Sequence, residues 1–254
     1  EEAFWEPGTR NGYHMINFGW TVGELVRRVS GKSLGTFFRE EVADKTGARF
    51  WLGLPETEDV HIAPIIPYAP KPGDVPTEFA IKLVTEPESI QHKSFMNNGG
   101  WDFNNRKSQA AEIGGGGGLS NARGQVAMYT PLATDDGTLV SSDRLKAMSM
   151  VTTATQSDAT LLVPTRFGPG FMKSMDNRAL NLGPGTSVIM GEQAFGHVGA
   201  GGSIGFADPE AGLAFSYTMN QMGSGILVND RAQSLIDAAY RALGYRTNAP
   251  GVWV

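Results

Sequence analysis

The 254 residues describe a mixed α/β chain of the α+β type, with helices gathered in its first part and an antiparallel sheet flanked by helices formed mainly from its last part. Two observations lead there. Apolar residues recur at helical spacing early in the chain, whereas short β-like runs joined by turn residues crowd its final third and are followed by one more helical period. The expected organisation is one domain, with a mainly helical region over 1–160 and the sheet strands and C-terminal helix over 161–254.

The first helix is expected from Ile16 to Val29, after the turn residues Pro7-Gly8-Thr9, with Leu25, Val26 and Val29 on its apolar face and Arg27 and Arg28 opposite. Gly31 stops it as a C-terminal cap, and a second helix starts at Ser33 and ends before Gly47, giving a helical pair. From Pro55 to about Gly100, prolines and scattered charges predict a long surface excursion with short helices. Five glycines after Ile113 feed a helix capped by Ser120 or Asn121 and carrying Val126, Met128 and Tyr129. Arg166 to Met172 reads as one short strand, and Ala194 to Met222 as two β-runs joined by Ala207-Asp-Pro-Glu-Ala-Gly212. The closing helix is expected over Val228–Leu243, with Leu235, Ile236, Ala239 and Leu243 on one face.

Composition removes several function classes. A net charge of −5 with dispersed Lys and Arg offers nothing to neutralise a run of phosphates, so nucleic acid is not an expected partner. Gly, Pro or a charge interrupts every hydrophobic run well short of the roughly 18 apolar residues a membrane span needs. With no Cys there is no thiol nucleophile and no thiolate zinc site, and the compartment stays open. His14, His61, His92 and His197 are isolated from one another, so no metal is expected. Neither Gly114–Gly118 nor Gly199–Gly205 matches a nucleotide-binding loop, and no cofactor is expected. The opening residues, Glu1-Glu-Ala-Phe-Trp5, have neither an initiator Met nor the features of a signal peptide, and the chain is read as a piece of a longer protein.

Nucleophilic catalysis lacks its usual anchors. There is no Gly-x-Ser-x-Gly, and none of the eight lysines has a Ser three residues before it. Two stretches nevertheless carry chemistry. Pro7-Gly-Thr-Arg-Asn-Gly-Tyr13-His14 sets a phenol just before a helix, where it can act as a base only if a cation lowers a pKa normally near 10. Phe195-Gly-His-Val-Gly-Ala-Gly-Gly-Ser203 enters a hairpin whose glycines let a substrate approach the strand backbone, so an exposed N–H there can stabilise an oxyanion.

These stretches, in this order, resemble the serine β-lactamase-like superfamily: class C β-lactamases, penicillin-binding DD-peptidases and family VIII carboxylesterases. Pro7-Gly-Thr through Tyr13 and the segment Phe18–Ser33 resemble its second motif and following helix. Gly115–Gln125 resembles its glycine-rich loop and helix, and Gly196-His-Val-Gly-Ala-Gly-Gly with Gly205–Asn220 its third motif and hairpin. The resemblance implies a β-lactamase/transpeptidase-like fold and a Ser-x-x-Lys upstream of Glu1, with Ser acylated and Lys sharing its proton with Tyr13. It implies that Tyr13 and Ala200 are catalytic, the latter through its N–H in the oxyanion hole. His14, His197, Gly199 and Gly201 are implied to bind substrate, with His197 against the acyl or leaving group.

β-Lactamases usually show Tyr-x-Asn and Lys-Thr-Gly where this chain has Tyr13-His14-Met15 and His197-Val198-Gly199. The esterase-like members resemble it in carrying substitutes there, so a small-molecule ester is the expected substrate. A β-lactamase or DD-peptidase acting on an amide, and a non-catalytic binding homologue, are the alternatives. The chain alone is expected to be inactive. The family sheet draws strands from both chain ends, so one flank is expected to be unpaired and prone to aggregation.

Overall fold

A computed structural model describes residues 2–254. Helix α1 runs Met15–Ser30 and closes on Gly31, whose φ of 73° lets its N–H reach the Arg27 carbonyl. Its buried face differs from expectation. Ile16, Gly19 and Gly23 are buried, whereas Leu25 and Val29 are 59% and 77% exposed. The reason is backbone proximity: a Cβ on Gly19 would lie 1.9 Å from the Gly115 nitrogen, so the helix rests its glycines on the glycine loop. An apolar period read from side chains alone cannot register a contact made by residues without them.

Helix α2, Leu34–Phe38, continues through a π turn, Arg39–Ala43, into α3, Asp44–Thr46, which ends at Gly47 as expected. The excursion holds a 3-10 turn, Glu56–His61, then α4, Glu78–Thr85, and α5, Ile90–Met96. A short α6, Arg106–Ala110, precedes the glycines. Two three-residue strands that local pattern does not reveal, β1 (Phe50–Leu52) and β2 (Gly118–Ser120), pair antiparallel and tie the helical pair to the glycine loop. Helix α7, Ala122–Thr134, is capped by Asn121, whose side chain accepts from the Gly124 amide, and α8 spans Ser142–Ser149.

The main sheet has six antiparallel strands in sequence order: β3 (Thr153–Thr155), β4 (Thr165–Gly168), β5 (Phe171–Met172), β6 (Phe195–Gly199), β7 (Ser203–Asp208) and β8 (Leu213–Tyr217). Arg166–Met172 is therefore a hairpin, because Gly170, at φ 82°, reverses the chain. Ala194–Met222 holds three strands and not two, because the tight turn at 200–202 splits the first run.

Helix α9, Asp230–Ala242, starts at its cap Asn229 and buries Ala232, Ile236 and Tyr240; Leu235 and Leu243 are half exposed. The expected face is thus rotated, because Tyr240 is drawn inward. Its hydroxyl donates to Asp208 at 2.6 Å and accepts from the Gly191 amide at 2.8 Å. The sheet is covered on both faces. Met172, Ile204 and Phe206 pack toward α9, whereas Phe195 and Ala207 pack toward Tyr129 and Leu132 of α7 and Leu145 of α8. Burial of these side chains contributes roughly 1.5–3 kcal/mol each for the larger ones, which makes the middle of the sheet a stiff base for what it carries.

Candidate active site

Two segments far apart in the chain meet above the start of β6. The Tyr13 hydroxyl lies 3.3 Å from Nε2 of His197, and the Tyr13 ring stacks on Phe167 of β4 with centroids 5.8 Å apart and planes 8° from parallel. Nδ1 of His197 is 2.7 Å from the Val198 carbonyl oxygen. A carbonyl only accepts, so Nδ1 carries the proton and Nε2 presents its lone pair to the phenol. Tyr13 is then the donor of the pair. Burial of the imidazole favours its neutral form and pushes its pKa below the ordinary value, outweighing the hydrogen bond to the Val198 carbonyl, which raises it.

The phenol is held in its protonated form. Burial, followed by the charge of Asp158, pushes the Tyr13 pKa up to about 12. None of the causes of that shift is a cation, so the condition for a tyrosinate base is not met by this chain's own residues. Asp158, which local sequence patterns do not single out, accepts from the Tyr13 amide at 3.0 Å and from the Asn11 side chain at 2.8 Å.

Beyond its first turn β6 is paired on one side only. β5 meets it at a single position, Met172 with Gly196, while β7 pairs with it from Phe195 to Gly199. Its other edge is therefore open at His197–Gly199 and leads to Ala200, which is exposed at the start of the hairpin turn. That turn is fixed from below. The Gly201 carbonyl accepts from the Asn229 side chain at 2.8 Å and from the Gly223 amide at 2.9 Å. Gly201 itself is buried, and a Cβ there would strike Met219 and Met222, so close packing of the turn requires a glycine. Gly199 closes the strand opposite Ser203.

His14 is exposed at the N-terminus of α1, where its side chain makes no capping bond and does not join the Tyr13–His197 pair. The long excursion reaches the rim: Ile66 donates to the Asn220 carbonyl at 2.6 Å and accepts from the Met222 amide at 2.9 Å. A polar groove of about 480 Å³ runs beside Asn11 between residues 8–11 and β3. Neither it nor a cleft of about 230 Å³ at Arg49, Trp51 and His61 contains Tyr13 or His197. Among the described residues no cluster of three His, Asp or Glu side chains could hold a metal ion, and no helix is long and apolar enough to cross a membrane.

Tyr13 and His197 thus meet, Ala200 follows the end of the strand that carries His197, and His14 makes no bond to the pair. Chemically the arrangement offers a phenolic proton donor, a neutral imidazole acceptor and an open strand edge.

A family model described as Beta-lactamase matches residues 1–240. The chain is 30% identical over 250 residues to "Esterase/beta-lactamase LipL" of Mycobacterium tuberculosis, covering 88% of this chain and 51% of that protein. Among solved structures it is similar to EstA from Arthrobacter nitroguajacolicus, with a TM-score of 0.75 and 28% identity, covering 95% of this chain and 62% of the other. It is also similar to a family VIII carboxylesterase, with a TM-score of 0.69 and 36% identity, covering 95% and 61%. The chain spans about half the length of LipL and about three-fifths of each of these two structures.

Proposed function

The chain belongs to the beta-lactamase family, and from that premise we propose that it is part of a serine hydrolase that cleaves carboxylic esters through an acyl-enzyme. The nucleophilic serine and its lysine lie outside these 254 residues, which contain no Ser-x-x-Lys. The observation that carries the proposal is the phenol of Tyr13 set 3.3 Å from Nε2 of His197, at the open edge of the strand that leads to Ala200.

The attacking hydroxyl must lose a proton as it bonds to the ester carbonyl, and the leaving alkoxide must gain one. The lysine ammonium beside Tyr13 supplies the cation that lowers the phenol from about 12 toward a useful range, and the phenol then passes the proton from serine to the leaving oxygen. His197 accepts the phenolic hydrogen bond and orients the hydroxyl. The Ala200 N–H, on its fixed turn, stabilises the oxyanion. Esters are favoured over β-lactams because His14-Met15 and His197-Val198 stand where an asparagine and a lysine-threonine would grip the amide and carboxylate of a penicillin. The name of one similar protein, a family VIII carboxylesterase, supports an ester substrate, and that of another, an esterase/beta-lactamase, carries both activities.

The protein expressed from its complete reading frame should turn over p-nitrophenyl esters faster than nitrocefin, and Tyr13→Phe should lower kcat by about 10²- to 10⁴-fold. Wild-type turnover in Tyr13→Phe would remove the phenol from the mechanism. Nitrocefin hydrolysis exceeding that of esters would instead favour the penicillin-recognising reading. The 254 residues alone should hydrolyse neither.

A further inference from the structure

We infer that Asp158 is a positioning residue for Tyr13: its buried carboxylate ties the turn carrying the phenol to the loop entering β4, and so holds the hydroxyl against His197. What the phenol does there rests on the acyl-transfer reading above; where it is held is geometry alone.

Asp158 has no exposed surface, and every partner of its carboxylate is a donor. Oδ1 accepts from the amides of Thr160 and Leu161, both at 2.9 Å. Oδ2 accepts from the Asn11 side chain at 2.8 Å and the Thr165 hydroxyl at 3.4 Å. The Tyr13 amide lies 3.0 Å from both oxygens. The Ala159 amide adds a bond to the Asn11 carbonyl at 2.9 Å, so the two segments are stitched in both directions across about 147 residues of sequence. Among the described residues no Lys or Arg forms an ion pair with this carboxylate. A buried charge balanced only by amide and hydroxyl donors is a costly way to close a turn that a neutral side chain can also close.

Backbone strain points to the same place. Four non-glycine residues have positive φ: Met15 at 26°, Asp135 at 51°, Leu162 at 60° and Asn181 at 52°. Asp and Asn tolerate that region; Met and Leu do not. Met15 lies two residues after Tyr13. Leu162 lies in the 158–163 loop, whose ends close through Asp158 N–H to the Val163 carbonyl and Leu162 N–H to the Asp158 carbonyl, both 2.9 Å. Strained residues persist where surrounding bonds over-determine them, and both strained segments here are joined by one carboxylate. The retained charge has a second effect. Burial is the larger cause that keeps the proton on the phenol, and of the two titratable groups that touch Tyr13 it is Asp158 whose negative charge adds to it.

Two variants in the protein from its complete reading frame separate position from charge. Asp158→Ala removes the clamp. Asp158→Asn keeps the size of the side chain and one acceptor oxygen, which still receives the Tyr13, Thr160 and Leu161 amides, while the Asn11 amide can turn over and the Thr165 hydroxyl can accept from the new NH2, and the charge is lost. With p-nitrophenyl butyrate, Asp158→Ala should lose about 100-fold or more in kcat with KM nearly unchanged. Asp158→Asn should keep much of kcat, and the acid limb of its pH profile, which follows loss of the phenolic proton, should move to lower pH. Tyrosine labelled with ¹³C at Cζ should show Tyr13 titrating at lower pH in Asp158→Asn than in wild type, a readout that survives if no ester is hydrolysed. An Asp158→Ala enzyme with wild-type kcat, or an Asp158→Asn protein whose Tyr13 titration does not move, overturns the inference. Absence of ester turnover in wild type, with the Tyr13 titration shifted as described, would overturn only the esterase reading.

Discussion

Adding one methyl group at Gly19 should damage both the stability of the fold and the position of the phenol. In the structure a Cβ there lies 1.9 Å from the Gly115 nitrogen, 2.3 Å from the Gly114 carbonyl carbon and 2.7 Å from the Gly115 Cα. The nearest of these is about 1.5 Å short of ordinary van der Waals contact. All three atoms are backbone, so no side chain can swing away and α1 must move. Overpacking of this kind costs about 1–3 kcal/mol, and a backbone obstacle puts Gly19→Ala near the upper end. Alanine returns about 1 kcal/mol in helix propensity, leaving a loss of about 2 kcal/mol. For a chain of this size that is a fall in Tm of roughly 4–8 °C, and less in the longer protein from its complete reading frame, read by circular dichroism. Because α1 begins two residues after Tyr13, ester turnover should fall with it. Gly31→Ala is the control: nothing lies within 4 Å of its Cβ, so only the left-handed φ of 73° is strained. It should cost about 1 kcal/mol and leave turnover alone. A Gly19→Ala protein that melts at or above the wild-type temperature refutes the close-approach account of this helix.

Met15→Asn should stabilise the fold by roughly 1 kcal/mol, seen as a higher urea midpoint, because asparagine accepts the positive φ that methionine is forced into. Lys173 is fully buried, its ammonium donates to the Glu192 carbonyl at 2.9 Å, and burial is the main cause that lowers its pKa from 10.5 to about 8. A lysine with a depressed folded pKa destabilises the fold while it is charged in both states, and the penalty fades as pH rises from about 8 to 10.5. Lys173→Met should therefore raise Tm at pH 7 by an amount that shrinks through that window; a constant difference from pH 7 to 10.5 would contradict it.

Features set by local chemistry were readable in advance. Gly31 and Gly47 end their helices as their position suggests, and Asn121 caps α7, because each makes its contacts within a few residues. The pairing of Tyr13 with the His197 strand was readable through family resemblance and not through periodicity, since 184 residues separate the two rings. Besides the short strands, other features were hidden. The packing face of α1 is made by glycines, which carry no hydropathy signal. The inward face of α9 is decided by a hydrogen bond between Tyr240 and Asp208, which drew Tyr240 inward and left Leu235 half exposed. Asp158 looks like an ordinary turn residue beside Ser157, and its partners at Asn11 and Tyr13 exist only after folding. A single Asx-type turn ahead of a strand was the one available hint of it.

The claim at the centre of this account is that Tyr13, His197 and the Ala200 turn form one half of an acyl-transfer site whose other half is a serine in the same protein. A fluorophosphonate probe applied to the protein from its complete reading frame, followed by mass spectrometry, measures this directly. The expected result is one adduct, on a Ser that precedes a Lys by three residues, formed about 100-fold more slowly in Tyr13→Phe. No adduct, or an adduct formed equally fast without the Tyr13 hydroxyl, would contradict it.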